Sequence, residues 1–263
     1  MYETNYHRAD SLADAASKIG EEGKYLSGGQ TLLPTMKQRL AAPSDLIDLS
    51  KINGLSGIEV NGKSVKIGAM TTHAEVANHS GLRDACHAIS EMGGWIGDPH
   101  VRHRGTIGGS IANNDPAADY PSAMLALNAT IHTDQREIAA DDFFTGMFDT
   151  ALKEGEIVTA VSFTAPEKCG YEKFRNPASR YAMAGVFVAH HGDAVRVGVT
   201  GASSGGVYRP ADMEEALSDN FSADALDGCS VDEGDMLSDI HGSAEYRAHL
   251  VKVMAKRAVA AAH

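Results

Sequence analysis

Only three cysteines, Cys86, Cys169 and Cys229, occur in 263 residues. Wide spacing and an odd number argue against a disulfide framework, and three thiols cannot supply the four ligands of an iron–sulfur cluster. No apolar run reaches membrane-spanning length, and the opening MYETNYHRAD has neither a basic n-region nor an apolar h-region, so no membrane insertion and a cytoplasmic, reducing location are expected. Basic residues are in deficit. A net charge of −12 disfavours nonspecific nucleic-acid or anionic-membrane binding, so an anionic ligand would need a site of its own. Also missing are the G-x-G-x-x-G fingerprint and the G-x-x-x-x-G-K-[ST] phosphate loop. With 43% hydrophobic and 22% charged residues the chain has an ordinary globular composition, long enough for one large domain or two modest ones.

What is present is glycine in two clusters. In SGGQTLLPTMKQRL, Gly28 and Gly29 precede Leu32, Leu33, Met36 and Leu40 at helical spacing, with Pro34 acceptable only in a first turn. Ser27, Gly28, Gly29, Gln30 and Thr31 would then present free N–H groups to an anion at a helix start. A plain strand-to-helix turn is the alternative for this stretch taken alone.

The order of elements is mixed rather than a regular βαβ series. SLADAASKI reads as a helix, KYLSGG as a strand and SDLIDLS as another, giving a β-α-β beginning. Ile58 and Val60 alternate against Val65 and Ile67 around Asn61-Gly62, a hairpin signal. Thr72 and Glu75 make a capping box, and DACHAISEMGG reads as a helix closed by its glycines. NATIHTDQREIAA and EIVTAVSFTAP add strands, separated by a helix-like DDFFTGMFDTAL. After Pro166, Ala182 to Ala189 and Ala194 to Thr200 form a meander about Gly192-Asp193. The tail from Ser243 is a helix with Tyr246, Leu250, Val253, Met254 and Ala258 on one side.

The second cluster, GDPHVRHRGTIGGSIANNDPAADYPSAMLAL, joins Gly105, Gly108 and Gly109 to an Asn/Asp-rich loop followed by a helix from about Tyr120. Two such loops suit the two ends of a diphosphate, and Asn113, Asp115 or Asp119 can bond the hydroxyls of a sugar or sugar alcohol. The combination points to a dinucleotide.

SGGQTLLP, IGDPHVRHRGTIGGSIANNDPAADYP and the tail HGSAEYRAHLVKVMAKRAV together resemble the FAD-binding (medium) subunit of the molybdenum hydroxylases, the family of carbon monoxide dehydrogenase and xanthine dehydrogenase. The resemblance spans nearly the whole chain. It implies an α+β protein with a vanillyl-alcohol-oxidase-type (PCMH-type) FAD-binding fold over 1–167, in subdomains of about 1–55 and 56–167. A small C-terminal α+β domain with an antiparallel sheet would occupy 168–263. Carried over by motif, Ser27, Gly28, Gly29, Gln30 and Thr31 would be one diphosphate loop and Thr106, Ile107, Gly108 and Gly109 the other. Asn113, Asp115 and Asp119 would line the ribityl and flavin region, and Tyr181 would cover the isoalloxazine ring or else be a core residue at a strand start. His100 and His103 depart from the family, where Gln and Asn are usual. The implied cofactor is FAD. Molybdopterin and two-iron two-sulfur clusters are expected only in partners, a large and a small subunit forming a dimer of heterotrimers. The electron acceptor stays open.

Other constellations carry less. His100-x-x-His103 and His190-His191 have no supporting metal motif and read as polar loop residues. Ser203-Ser204 lacks a nucleophile setting. Trp95 reads as core or interface, with a place facing the flavin as the alternative, and Arg102 and Arg104 as diphosphate partners or as solvated or interface ion pairs. A stand-alone flavin oxidase or reductase would need a substrate base, and the C-terminal region offers no evident one. A noncatalytic nucleotide-binding subunit would keep the loops for structure alone.

Overall fold

A computed structural model describes residues 1–263 as an α+β protein with four sheets. The first layer runs β1 (Asn5–Arg8), α1 (Leu12–Lys18), β2 (Lys24–Leu26), α2 (Leu32–Lys37) and β3 (Asp45–Asp48). β3 lies between β1 and β2 and is parallel to both. The parallel crossovers use α1 and α2, as chain reach requires. Ser11 opens α1 by accepting the Asp14 N–H. Strand β1 is legible only in the structure: NYHR has no apolar alternation, and pairing with β3 makes it a strand. Ala9, Ala15, Ile47, Leu49, Ile52, Leu55 and Ile157 form the small core of this layer.

The middle of the chain holds β4 (Ile58–Asn61), β5 (Ser64–Gly68), α3 (His73–Asn78), α4 (Ser80–Ala85), α5 (His87–Trp95), α6 (Pro99–Arg102), α7 (Ile107–Asn113) and α8 (Tyr120–Ala126). It continues through β6 (Thr130–Thr133), β7 (Glu137–Ala139), α9 (Ala140–Phe143), β8 (Phe144–Gly146), β9 (Asp149–Thr150) and β10 (Val158–Thr164). The sheet order is β4-β5-β10-β6-β7, antiparallel throughout. The hairpin pairs Ile58 with Ile67 and Val60 with Val65, as the alternation predicts. Its loop is Gly62-Lys63, with Gly62 at a φ of +60°. The capping box at Thr72 and Glu75 is present in both directions.

Three local readings change. The helix expected over DACHAISEMGG is two helices broken at Cys86, which leaves helical geometry at φ −156°, ψ 82°. Gly93 and Gly94 sit inside α5 rather than ending it, because α5 packs so closely on α3 that a Cβ at Gly93 would lie 3.2 Å from the His73 carbonyl. DDFFTGMFDTAL keeps only one helical turn and then forms the β8–β9 hairpin, where Phe148 takes a φ of +57°.

The C-terminal sheet is the meander β11 (Lys168–Arg175), β12 (Ala182–His190) and β13 (Val195–Thr200), followed by α10 (Ala211–Asp219) and α11 (Ala244–Ala261). One face lies on α8, so closely that a Cβ at Gly198 would stand 2.0 Å from the Ser122 carbonyl oxygen, and the other lies on α11. Ser243 caps α11. The buried side of α11 is rotated from the expected one: Tyr246 is exposed, while Arg247 is buried and donates to the Met183 and Gly201 carbonyls and to Asp239, each at 2.8 Å. No helix is long and apolar enough to cross a membrane.

Candidate functional site

The two glycine segments meet. Ser27 Oγ and Thr106 Oγ1 are 2.6 Å apart across a sequence separation of 79 residues. A Cβ at Gly28 would stand 2.1 Å from the Arg104 carbonyl oxygen and 2.7 Å from the Gly105 Cα, so only glycine lets the first loop seat against the second. Gly29 turns the chain at a φ of +72°. The N–H groups of Gly28, Gly29, Gln30 and Thr31 donate to no protein acceptor. Such a run of unpaired donors on one loop is a ready cradle for an anion. Pro34 falls in the first turn of α2, as required. Leu40 lies beyond that six-residue helix, after Arg39 at a φ of +64°, and is exposed.

The second segment works differently from the first. Gly105 ends in a turn, and Thr106 then caps α7 by accepting the Gly109 N–H. The Ile107 N–H goes to the Thr71 carbonyl and the Gly108 N–H to the Ala69 carbonyl, leaving no free cradle there. Gly108 is glycine for packing, since its Cβ would sit 2.4 Å from that of Ala69. The Ile107 side chain is wholly buried in the core and is not among the residues lining the cleft.

A cleft of about 710 Å³ opens where the loops join. Ser27, Gly28, Gly29, Gln30, Thr31, Thr106, Gly108, Gly109, Asn113, Asp115, Asp119 and Tyr181 all line it. It also draws on Tyr25, Leu49, Leu152 and Ile157 for an apolar wall, and on Ser110, whose hydroxyl makes no protein hydrogen bond. Serine after the glycine pair is the signal that could have found it. Asn113 keeps its amide free, whereas Asn114, the left-handed cap of α7, spends its amide on the Gly146 and Asp149 carbonyls.

Asp119 lines the cleft but does not offer it a free carboxylate. It accepts from Lys173 Nζ at 3.0 Å and from the Tyr171 hydroxyl, with both partners buried. Burial, then the Asp119 charge, pushes the Tyr171 phenol well above its ordinary range. Lys173 also donates to the Trp95 carbonyl, the Arg102 guanidinium to the Ile96 and Gly97 carbonyls, and Arg180 to Gly97. Arg102 is therefore a brace rather than a diphosphate partner. Arg104 contributes its carbonyl at the loop contact. The Arg180 bond ties the turn at 176–181 of the C-terminal sheet across the cleft mouth, with Tyr181 half exposed over it. Trp95 packs on Tyr171 and beneath Arg175, outside the cleft.

Glu156 is a fixed anion of the far wall. Its hydrogen bonds from Arg136 lower it to about 2. His73 lines the cleft while almost buried, its Nδ1 unpartnered; burial, then the charge of Arg102, lowers it to about 4. It is neutral at pH 7. Because the folded form resists protonation, stability falls as pH drops from about 6.5 to about 4. At the bottom of that window the loss reaches about 3 kcal/mol. We expect Tm to decline across it, and His73→Asn to remove much of the decline; a pH profile identical in the variant would show that His73 does not set it. His100 is exposed and His103 bonds the Pro99 carbonyl. No three or more His, Cys, Asp and Glu side chains are grouped as metal ligands would be. Ser203 Oγ accepts the Gly205 N–H in a turn, and Ser204 Oγ donates to the Asp235 carbonyl.

A cleft lined by free N–H groups, a free hydroxyl, an apolar wall and a half-exposed tyrosine suits an anionic ligand with an apolar part. The chain belongs to the family described as the FAD binding domain in molybdopterin dehydrogenase, whose model matches residues 2–166. It is 36% identical over 270 residues to the nicotine 6-hydroxylase medium subunit of Paenarthrobacter nicotinovorans, covering 97% of this chain and 95% of that one. It is also 36% identical over 278 residues to the carbon monoxide dehydrogenase medium chain of Afipia carboxidovorans, covering 97% and 95%. The reconstituted CO dehydrogenase structure from Oligotropha carboxidovorans superposes with a TM-score of 0.89 at 34% identity, over 99% of this chain and 97% of that one.

Proposed function

We propose that this chain is the electron-exit subunit of a molybdenum hydroxylase complex, holding FAD with its diphosphate at the N–H groups of Gly28 to Thr31. The four unpaired N–H groups carry the reading. They fit FAD because two closely seated loops leave an unobstructed backbone surface, with the Ser110 hydroxyl and Asn113 amide unspent beside it. The second segment contributes the seat, not a matching set of donors. Tyr25, Leu49 and Ile157 would hold its adenine, and Tyr181, Asn113 and Asp115 its flavin end. Asp119 is a positioning residue that fixes Lys173 and Tyr171 beneath that end. The vanillyl-alcohol-oxidase-type division into 1–55, 56–167 and 168–263 belongs to the same reading, with the cofactor between the first two parts.

FAD, when bound, supplies the exchange between one-electron donors and a two-electron acceptor. The chain's own residues bind and orient it, and Tyr181 and Arg180 limit water at the mouth. Three free cysteines provide no cluster, so the donor is a small iron–sulfur subunit, and substrate is oxidised in a large molybdopterin subunit; two such heterotrimers pair. A self-contained oxidase would need a base at the flavin. The buried carboxylate best placed for that, Asp119, is already committed to Lys173.

Titration of the stripped chain tests the placement. FAD is expected to bind at least about tenfold more tightly than FMN, a difference of about 1.4 kcal/mol or more, because only FAD brings a diphosphate and an adenine. Equal affinities would remove the diphosphate from the first loop.

A further inference from the structure

Away from the cleft, the two buried cysteines touch. Cys86 Sγ and Cys169 Sγ are 3.5 Å apart across 83 residues of sequence. Cys86 occupies the break between α4 and α5; Cys169 is on β11, on the same face as Tyr171 and Lys173, turned toward the middle layer. His87 Nδ1 is 3.8 Å from the Cys169 sulfur, and its ring stacks on that of His263 with centroids 3.5 Å apart. Cys169 also lines a polar surface cavity of about 620 Å³, walled by Arg83, Asp84, His87, Glu91, Glu167 and His263. The pair is thus buried from bulk water yet open on one side to a small polar oxidant. No part of this arrangement serves the cofactor cleft.

We infer that Cys86 and Cys169 are a redox-active dithiol, which hydrogen peroxide or a small alkyl hydroperoxide converts into a disulfide joining the α4–α5 junction to β11. Cys169 is the attacking sulfur. It borders the cavity, and the Cys86 thiol donating to it, then the adjacent His87, hold it below the ordinary thiol range, while Cys86 is pushed up well above it. The Cys169 thiolate attacks the terminal peroxide oxygen: an S–O bond forms, the O–O bond breaks, and the departing hydroxide, or the alkoxide of an alkyl hydroperoxide, takes a proton and leaves as water or as the alcohol. Cys86 sulfur then attacks the sulfenic sulfur of Cys169, forming S–S and breaking S–O, and its own proton leaves with the second oxygen as water. Each sulfur loses one electron, and the peroxide gains both. Cys86 lies at a break between helices rather than within one, so the approach of the sulfurs needs no unwinding of α4 or α5.

The test uses the full FAD-loaded chain treated with hydrogen peroxide, quenched with an alkylating reagent under denaturing conditions and mapped by peptide mass. Two of the three thiols are expected to disappear, with a Cys86–Cys169 cross-linked peptide that dithiothreitol reverses. Cys229→Ser, which leaves the pair untouched, should behave identically. In Cys86→Ser, with FAD retention as the check on folding, Cys169 should stop at a sulfenic acid that dimedone traps. Full alkylation of Cys86 and Cys169 after peroxide, a cross-link to Cys229 instead, or overoxidised Cys169 beside a free Cys86 would each overturn the inference.

Discussion

Gly28→Val is expected to leave the protein folded but retaining under about a tenth of the FAD held by the unmodified chain, measured by absorbance after desalting. The reason is local. A Cβ at that position would stand 2.1 Å from the Arg104 carbonyl oxygen, so the first loop must lift away from the second, and four N–H groups move off a common centre. Lifting the loop also breaks the Ser27–Thr106 hydroxyl contact. Ser27→Ala deletes that contact without adding volume and should weaken FAD binding only several-fold, about 1 kcal/mol. The ordering of the two variants separates loop seating from hydroxyl bonding. Full FAD content in a folded Gly28→Val protein would show that the seating is irrelevant to the ligand.

Asp119→Asn should lower Tm by about 10 °C. The Lys173 side chain is fully buried and the carboxylate of Asp119 is its only anionic partner, so removing that charge strands an ammonium in the interior, at a cost of about 3–5 kcal/mol. The double variant Asp119→Asn, Lys173→Met takes away both charges and should recover a large part of the loss, because burying neither charge is cheaper than burying one. A single variant as stable as the unmodified chain, by thermal melt followed with circular dichroism, would rule out the buried pair.

Much of this was legible because local chemistry and tertiary placement agree. Val60 and Val65 face each other across a hairpin that the alternation already implies, and Thr72 meets Glu75 through bonds that need nothing outside one turn. The glycine clusters drew attention as a pair, and the structure brings Ser27 and Thr106 of the two segments into contact. What was hidden depends on long-range partners. Strand β11 has Lys173 on its buried face, and a lysine there reads as solvent-facing until Asp119, contributed from 54 residues away, is in place. Arg247 is hidden for the same reason, its partners lying on β12, on Gly201 and in the loop before α11. The second glycine cluster reads as a loop like the first, yet Thr106 caps a helix and the amides of Ile107 and Gly108 are consumed by the turn at Ala69 and Thr71. Sequence spacing alone cannot tell a glycine that meets a ligand from one that meets another backbone.

The most direct test of the electron-exit reading is anaerobic stopped-flow of the flavin's visible absorbance in the isolated FAD-loaded chain, mixed with carbon monoxide, nicotine or glyceraldehyde, and in the complex purified intact, mixed with its own substrate. The isolated chain should remain oxidised with all three, while the complex bleaches within its turnover time, because only the complex contains a centre able to take electrons from substrate. Bleaching of the isolated chain at the rate seen in the complex would contradict the account and make the chain a self-contained flavoenzyme.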